Sequence, residues 1–84
     1  MLSQRRYPAD RGAYTRIEWW GIYHGTWVQV VVRGVFEGAV RVWGWSLHCS
    51  LGEGRRLFVG AGERPDEASA IREAFDALRR EVRS

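Results

Sequence analysis

The stretch from Thr15 to Leu51 constrains the fold of this chain more than any other part of the sequence. It reads TRIEWWGIYHGTWVQVVVRGVFEGAVRVWGWSLHCSL and contains all five tryptophans. β-Branched and aromatic residues dominate it, and Gly25 and Gly38 interrupt it, which predicts an antiparallel β-meander. The stretch holds more large aromatic side chains than the one modest core of an 84-residue chain is expected to hide, so we look for the function here.

Alternation along the first two predicted strands assigns their faces, because successive side chains of a strand point to opposite sides. The first strand, residues 15–23, is expected to turn these side chains to the core: Ile17, Trp19, Gly21 and Tyr23. The second strand, residues 26–33, is expected to bury Val28, Val30 and Val32. Between the two, His24-Gly25 suits a tight hairpin turn, since glycine tolerates a positive φ.

The third predicted strand, residues 40–51, has an ambiguous pattern. Val40 and Val42 begin one face, but the opposite face carries the more apolar set: Trp43, Trp45, Leu47, Cys49 and Leu51. A β-bulge near Gly44 would switch the faces, and Arg41 and Trp43 would then be exposed while the later residues are buried. The alternation alone leaves both arrangements open.

The remainder of the chain predicts two connections, a fourth strand and one helix. Residues 34–38 and 52–54 are expected to be turns, residues 56–60 a strand with Leu57 and Val59 inward, and residues 65–83 a helix. The helix is expected to place an apolar stripe on the valine face: Ala68, Ile71, Ala74, Phe75, Leu78 and Val82. We therefore predict an α+β fold, a four-stranded antiparallel β-meander with one C-terminal helix packed on one face (β-β-β-β-α). Residues 14–84 would form this single domain, and residues 1–13 a flexible basic arm.

The basic residues are all arginine, 13 against 10 acidic residues, and the net charge is +3. Residues 1–13 and 14–62 each carry +2, whereas residues 63–84 carry −1, so the positive charge lies on the arm and the sheet. A GC-rich genome accounts for arginine without lysine. The forked guanidinium also suits phosphates, carboxylates and base edges, and the distribution is compatible with an anionic partner on the sheet side.

Several classes of protein do not fit the sequence. Cys49 is the single cysteine, so a disulfide-stabilised secreted scaffold is excluded. The N-terminal residues MLSQRRYPAD lack the apolar region of a signal peptide, and no apolar run approaches the length of a membrane span. We therefore expect a cytoplasmic protein without a membrane partner.

Catalytic chemistry finds little support in the sequence. His48 and Cys49 are adjacent, so on a strand they would point to opposite faces and could not act as a base and nucleophile pair. The two histidines and Cys49 show no zinc-ligand spacing. The segment Gly60-Ala61-Gly62 is more typical of a strand-to-helix connection than of a phosphate-binding loop, because Glu63 and Asp66 follow it. We expect no enzymatic activity, no metal, no cofactor and no small-molecule substrate.

The exposed face of the sheet is the predicted binding site, and these residues are expected to share it: Arg16, Trp20, Trp27, Gln29, Arg33, Arg41 and Trp43. Arg5, Arg6 and Arg11 of the arm are expected to assist. Tryptophan and arginine are favoured anchors of protein interfaces, which predicts a protein-interaction module: a homodimer, a subunit or a phage-type inhibitor that acts by surface contact.

The alternative is a nucleic-acid-binding module that uses the same face and the arm. Arginine and glutamine read base edges and hold phosphates, and tryptophan stacks on bases. The layout is similar in topology to AP2-type DNA-binding domains and to the arm-binding domains of some integrases, although no sequence motif of either family occurs here.

Overall fold

The chain forms a five-stranded antiparallel sheet with one helix packed against one of its faces. The computed structural model describes residues 2–7, 15–38, 40–52 and 55–82. In chain order, the elements are β1 (Ser3–Tyr7), β2 (Arg16–Tyr23), β3 (Thr26–Glu37), β4 (Val40–Gly52), β5 (Arg55–Arg64) and α1 (Glu67–Glu81). The strands lie in the sheet in the same order as in the chain. The α+β class and the antiparallel meander are confirmed, and the predicted number of strands is one too low.

The additional strand is β1, which lies within the segment that the sequence pattern assigned to a flexible arm. It pairs antiparallel with β2, with Ser3 opposite Trp20 and Tyr7 opposite Arg16. Its own sequence, SQRRY, has no apolar alternation, so its strand conformation depends on pairing with β2. A short, charged strand is typical of a sheet edge, where charge discourages pairing with other chains. Residues 8–14 lie outside the described residues.

Tight turns connect β2 to β3 and β3 to β4. His24 has a φ of 48° and Gly25 a φ of 78°, the pair of positive values that a type I′ turn requires. The predicted hairpin turn is therefore confirmed at these residues. Gly38, with a φ of 63°, lies in the second turn. β3 continues further than predicted, to Glu37, because residues 34–37 remain paired with β4.

The core lies between the sheet and α1. The buried side chains that the sheet contributes are Ile17, Val28, Val30, Val32, Trp43, Trp45, Leu47 and Cys49. The register aligns them in rows across the strands: Ile17 lies opposite Val32, which in turn lies opposite Trp45. Trp19 and Tyr23 are half-buried and pack against the same cluster. The predicted core faces of β2 and β3 are thus confirmed.

α1 contacts β3, β4 and β5 through a narrow stripe of mostly small side chains. Its buried residues are Ala70, Ala74, Ala77 and Leu78, and Val82 at the C-cap is also buried. Of the residues predicted for the apolar stripe, Ala74, Leu78 and Val82 are buried, and Ile71 and Phe75 are half-buried. The prediction is wrong for Ala68, which is exposed. The small side chains bring the helix backbone close to the sheet, where the tryptophan rings already fill much of the space. At 15 residues, α1 is too short and too polar to cross a membrane.

Asp66 caps the N terminus of α1 and makes its stability dependent on pH. Its carboxylate accepts hydrogen bonds from the backbone N–H of Ser69 at 2.8 Å and from the Ser69 hydroxyl at 2.9 Å. These bonds, the backbone bond first, lower the pKa of Asp66 from its ordinary value of 3.8. The stabilisation by the charged cap is therefore fully present above that ordinary value and is lost as the pH falls through the lower pKa of the folded state.

The variant Asp66→Asn should separate the contribution of the capping hydrogen bond from that of the titrating carboxylate. Asparagine is as good an N-cap as aspartate, so we expect an unchanged urea midpoint at neutral pH. On acidification the wild type should lose more stability than the variant, because the variant has no carboxylate to protonate at this position. Urea midpoints measured across the acid range test this expectation, and parallel pH profiles for the two proteins would contradict it.

Candidate binding surface

The sheet distributes the five tryptophans over its two faces. Trp19, Trp43 and Trp45 lie on the face that α1 packs against, called here the helix face, while Trp20 and Trp27 lie on the other face. Trp43 and Trp45 are only 8% and 7% exposed. The prediction that Trp43 contributes to an exposed sheet face is therefore wrong.

An unbroken register between β3 and β4 is the physical reason. Gly34 lies opposite Trp43 and the pairing continues without an inserted residue at Gly44, so the expected bulge does not occur there. The irregularities lie instead in the pairing of β4 with β5. Arg41, two residues before Trp43, therefore also projects from the helix face, and its guanidinium stacks over the Trp43 ring at 4.7 Å from the centroid. The placement of Arg41 on the exposed face is corrected in the same way.

Glycines on the neighbouring strands make room for the two buried rings. Trp43 lies opposite Gly34, and Trp45 lies opposite Gly62. A Cβ atom at Gly62 would lie 2.6 Å from Nε1 of Trp45, and one at Gly34 would lie 3.2 Å from Cη2 of Trp43. The segment Gly60-Ala61-Gly62 is thus part of β5, where its glycines accommodate an indole, and not the predicted connection to the helix.

A hydrogen bond joins Trp45 to α1. Its Nε1 donates to Oε2 of Glu73 at 2.8 Å, and Nε of Arg64 lies 3.6 Å from the same oxygen. The side chains of Arg64 and Glu73 are 51% and 41% exposed, so their ion pair contributes little to stability. The indole N–H is nevertheless satisfied on burial, as a buried tryptophan requires. Trp45 is therefore part of the core and not of a binding surface.

No described element packs on the face away from α1, and we call this face the open face. Its described side chains, from β1 to β5, are Ser3, Arg5, Tyr7, Arg16, Glu18, Trp20, Ile22, Trp27, Gln29, Val31, Arg33, Val35, Val40, Val42, Gly44, Ser46, His48, Ser50, Phe58, Ala61 and Glu63. The solvated face of an antiparallel sheet is normally polar. Here Ile22 and Phe58 are each 58% exposed, and Trp20, Trp27 and Val31 are half-buried.

At the β1 edge of the open face, the arginines belong to a local network. Glu18 is 8% exposed and accepts hydrogen bonds from Nη2 of Arg16 and from the hydroxyl of Tyr7 at 3.5 Å. The guanidinium groups of Arg5 and Arg16 each lie 5.0 Å from the centroid of the Tyr7 ring. The charge of Arg16 is therefore largely compensated by Glu18, which lowers the positive potential of this edge.

A groove of ≈ 550 Å³ crosses the other half of the open face. It runs mainly over β4 and β5, where the side chains are small: Gly44, Ser46 and Ala61. Val31 and Phe58 line its sides, and Arg33 and Glu63 lie at its polar end. Beside Val31 and Arg33 of β3, the open face thus has a depression over the next two strands.

The helix face carries a second groove, of ≈ 470 Å³, beside α1. It is lined by Leu2, Trp19, Tyr23, Phe75, Leu78 and Arg79. Trp19 and Phe75 meet edge to face at its base, with ring centroids 5.1 Å apart. The groove exists because α1 packs over β3 to β5 and leaves the helix face of β1 and β2 only partly covered.

His48 and Cys49 lie on opposite faces of the sheet and do not form a base and nucleophile pair. His48 lies on the open face, where its ring contacts Phe58 edge to face, and Cys49 is buried on the helix face, as the alternation predicts. His24 lies in the first hairpin turn. Within residues 2–7, 15–38, 40–52 and 55–82, no group of histidine, cysteine and acidic side chains is placed to hold a metal ion.

Five of the seven predicted sheet-face residues do share the open face: Arg16, Trp20, Trp27, Gln29 and Arg33. Of the predicted auxiliary arginines, Arg5 lies on the open face, Arg6 lies on the helix face and binds Glu67 at 2.7 Å, and Arg11 lies outside the described residues. Tyr7, Ile22 and Phe58 were missed. For Ile22 the sequence contained a signal, because it lies two residues after Trp20 and therefore on the same face, opposite the predicted core.

Comparison with known proteins identifies no relative. No family model, no curated protein and no solved structure matches the chain.

Proposed function

We propose that this chain is a small, non-enzymatic protein-interaction module that binds its partner through the open face. The observation that supports this most directly is the apolar character of a sheet face that no described element covers. Contiguous exposed apolar surface is uncommon on proteins that act alone, and it marks interaction sites. On this face, Trp20, Ile22 and Trp27 form one apolar patch, and Val35, Val42 and the exposed Val40 form another at the far end of β3.

The side chains of this face resemble the composition of protein interfaces. Tryptophan, tyrosine and arginine are enriched there and carry most of the binding energy when they lie near the centre of the contact. Trp20 and Trp27 lie on neighbouring strands, and Gln29, opposite Trp20, supplies a polar group between them. Trp27 is the anchor that we expect to contribute most, because it belongs to the central strand β3.

Charge favours a protein partner over nucleic acid. Among the described side chains of the open face, Glu18 and Glu63 offset two of the three arginines, Arg5, Arg16 and Arg33, so the excess is a single positive charge. Binding to a phosphate backbone depends on an excess of positive charge and weakens steeply with salt. The displacement of Arg41 to the helix face removes one of the cations on which the nucleic-acid alternative relied.

A photoreactive side chain on the open face tests the proposal while the partner is still unidentified. We would replace Ile22, which is 58% exposed, with p-benzoylphenylalanine, and use the exposed Ala68 on the outer side of α1 as the control position. After irradiation in an extract of the host cell, we expect protein adducts at the first position only. They should resist nuclease and persist from roughly 50 to 200 mM salt, a range over which a nucleic-acid complex weakens about 10³-fold or more.

Two results would count against this proposal. Adducts that disappear with nuclease or with added salt would assign the open face to nucleic acid. Equal labelling at both positions, or none at either, would show that the face is not a specific contact surface.

A further inference from the structure

We infer that the partner of the open face is a second copy of this chain, packed sheet against sheet around a two-fold axis. This inference rests on the proposed function, because it names the occupant of the same surface. In the arrangement that the face favours, β2 and β3 of each subunit cover β4 and β5 of the other.

Shape is the first argument for self-association. In two adjacent rows of the open face, Val31 and Arg33 project from β3, whereas Gly44, Ser46 and Ala61 leave a groove of ≈ 550 Å³ over β4 and β5. A surface that carries both a ridge and a depression is complementary to a rotated copy of itself. A two-fold interface requires this property, since the same patch serves on both subunits.

The register of the strands specifies which residues would meet. A two-fold axis that lies between the sheets, parallel to the strands and midway between β3 and β4, exchanges β3 with β4 and β2 with β5. Val31 lies opposite Ser46 within one chain, so this axis sets Val31 over Ser46 of the partner subunit. In the same way, Arg33 would lie over the space at Gly44 of the partner subunit. Sheets packed face to face in this way lie about 10 Å apart.

The charges of the open face are complementary under the same rotation. Arg16, Arg33, Gly44 and Glu63 occupy one row across β2 to β5. The axis that exchanges β2 with β5 therefore brings Arg16 towards Glu63 of the partner subunit and sets no arginine of this row against another. The Arg5 and Tyr7 side chains of β1 would lie beyond the partner's β5, at the edge of the contact.

The size of the face is sufficient for a stable dimer. The molecule measures 41 × 23 × 21 Å, and its long axis corresponds to the length of the β3–β4 hairpin. The rectangle given by its two longest dimensions is about 900 Å², which leaves room for an interface of standard size, in which each partner buries roughly 800 Å² of accessible surface. The tryptophan, isoleucine, phenylalanine and valine side chains of the face also suit a homodimer interface, because such interfaces are more apolar than transient ones.

Sedimentation equilibrium of the purified chain tests the inference. We expect a species of twice the 9.7 kDa mass of the chain, whose dissociation constant changes little with salt. Ala61→Glu places a carboxylate in the groove, towards Glu18 of the partner subunit, and should make the chain monomeric. Ala68→Glu adds the same charge at an exposed site on α1 and should leave the dimer unchanged. Trp27→Ala should raise the dissociation constant by about 30-fold or more.

Circular dichroism establishes whether each variant is folded. If Ala61→Glu is not folded, Trp27→Ala still tests the interface. A wild-type chain that stays monomeric at every concentration overturns the inference. So does a dimer that neither Ala61→Glu nor Trp27→Ala weakens, because it would use another surface. If the chain is monomeric but benzoylphenylalanine at residue 22 still captures a different protein, and Ala61→Glu abolishes that capture, the proposed function stands without the dimer. A monomer without such adducts overturns both.

Discussion

Replacing Trp45 with alanine is expected to lower the free energy of unfolding by about 3–5 kcal/mol, the usual cost of removing a large buried aromatic side chain. Trp45 is 7% exposed, it fills the space above Gly62, and its Nε1 donates to Glu73 of α1. The substitution removes the ring and leaves a cavity between sheet and helix. A chain of 84 residues has roughly 4–13 kcal/mol of stability in all, so the variant should lose a large part of it.

Urea denaturation followed by circular dichroism measures this effect, and two further variants define its origin. Trp20→Ala on the open face should cost only about 1 kcal/mol or less, the scale of a cross-strand side-chain pair. Trp45→Phe keeps an aromatic ring but loses the hydrogen bond to the half-exposed Glu73, for which we expect about 0.5–1.5 kcal/mol in addition to any repacking. Equal losses for Trp45→Ala and Trp20→Ala would mean that the two tryptophans are not divided between a core and a surface.

Gly62→Ala is the second substitution for which we expect a large effect, about 1–3 kcal/mol of destabilisation. Replacing glycine with alanine in a strand is ordinarily favourable, because glycine loses more conformational entropy on folding. At Gly62, however, the added Cβ would lie 2.6 Å from Nε1 of Trp45 and 3.0 Å from Oε2 of Glu73. One of the two side chains must move, and the indole cannot move without disturbing the core.

Gly44→Ala is the matched control, since Gly44 lies opposite Glu63 in the adjacent residue row of the same strand pair. A Cβ there would find its nearest neighbour at 3.9 Å, an ordinary contact, so this variant should be neutral or more stable by up to about 1 kcal/mol. Combining Gly62→Ala with Trp45→Phe should cost less than the sum of the two single changes, because phenylalanine lacks the nitrogen that the new methyl group meets. Equal urea midpoints for Gly62→Ala and Gly44→Ala would contradict the steric explanation.

The parts of the fold that could be predicted are those in which the sequence of a single strand or turn is sufficient to assign its structure. Val28, Val30 and Val32 recur at every second position, and His24-Gly25 has the residue types of a tight turn, so β2, the first part of β3 and their hairpin were predicted correctly. β4 begins with valines on one face and has tryptophans on the other, and its orientation depends on residues of the neighbouring strands. Gly34 and Gly62, on the strands to either side, provide the space for Trp43 and Trp45, and this relation becomes visible only when the register is known.

The errors in the predicted site have the same origin. The prediction that Trp43 is exposed assumed a bulge at Gly44. Because the strands on either side have glycines opposite the two indole rings, Trp43 and Trp45 can both be buried without a bulge. β1 was missed because its sequence lacks alternation, and with it the pairing that places Tyr7 beside Arg16 and Glu18. The groove on the open face was missed because it is formed by small residues such as Ser46 and Ala61. Such residues form a depression only next to larger side chains on neighbouring strands, and those neighbours are unknown before the register is known.

The nearest-neighbour order of the five strands also bears on how quickly the chain can find its structure. Each strand pairs with the one that follows it, so every pairing step closes a short loop, and the entropy lost in each closure is small. Folds with such local contacts form faster than sandwiches of the same size, whose strands pair across long separations. Among the described elements, α1 is the one that must return over strands already paired, because it docks on β3, β4 and β5. During synthesis, the sheet can therefore form hairpin by hairpin as it leaves the ribosome, while Trp43 and Trp45 remain hydrated until the helix arrives.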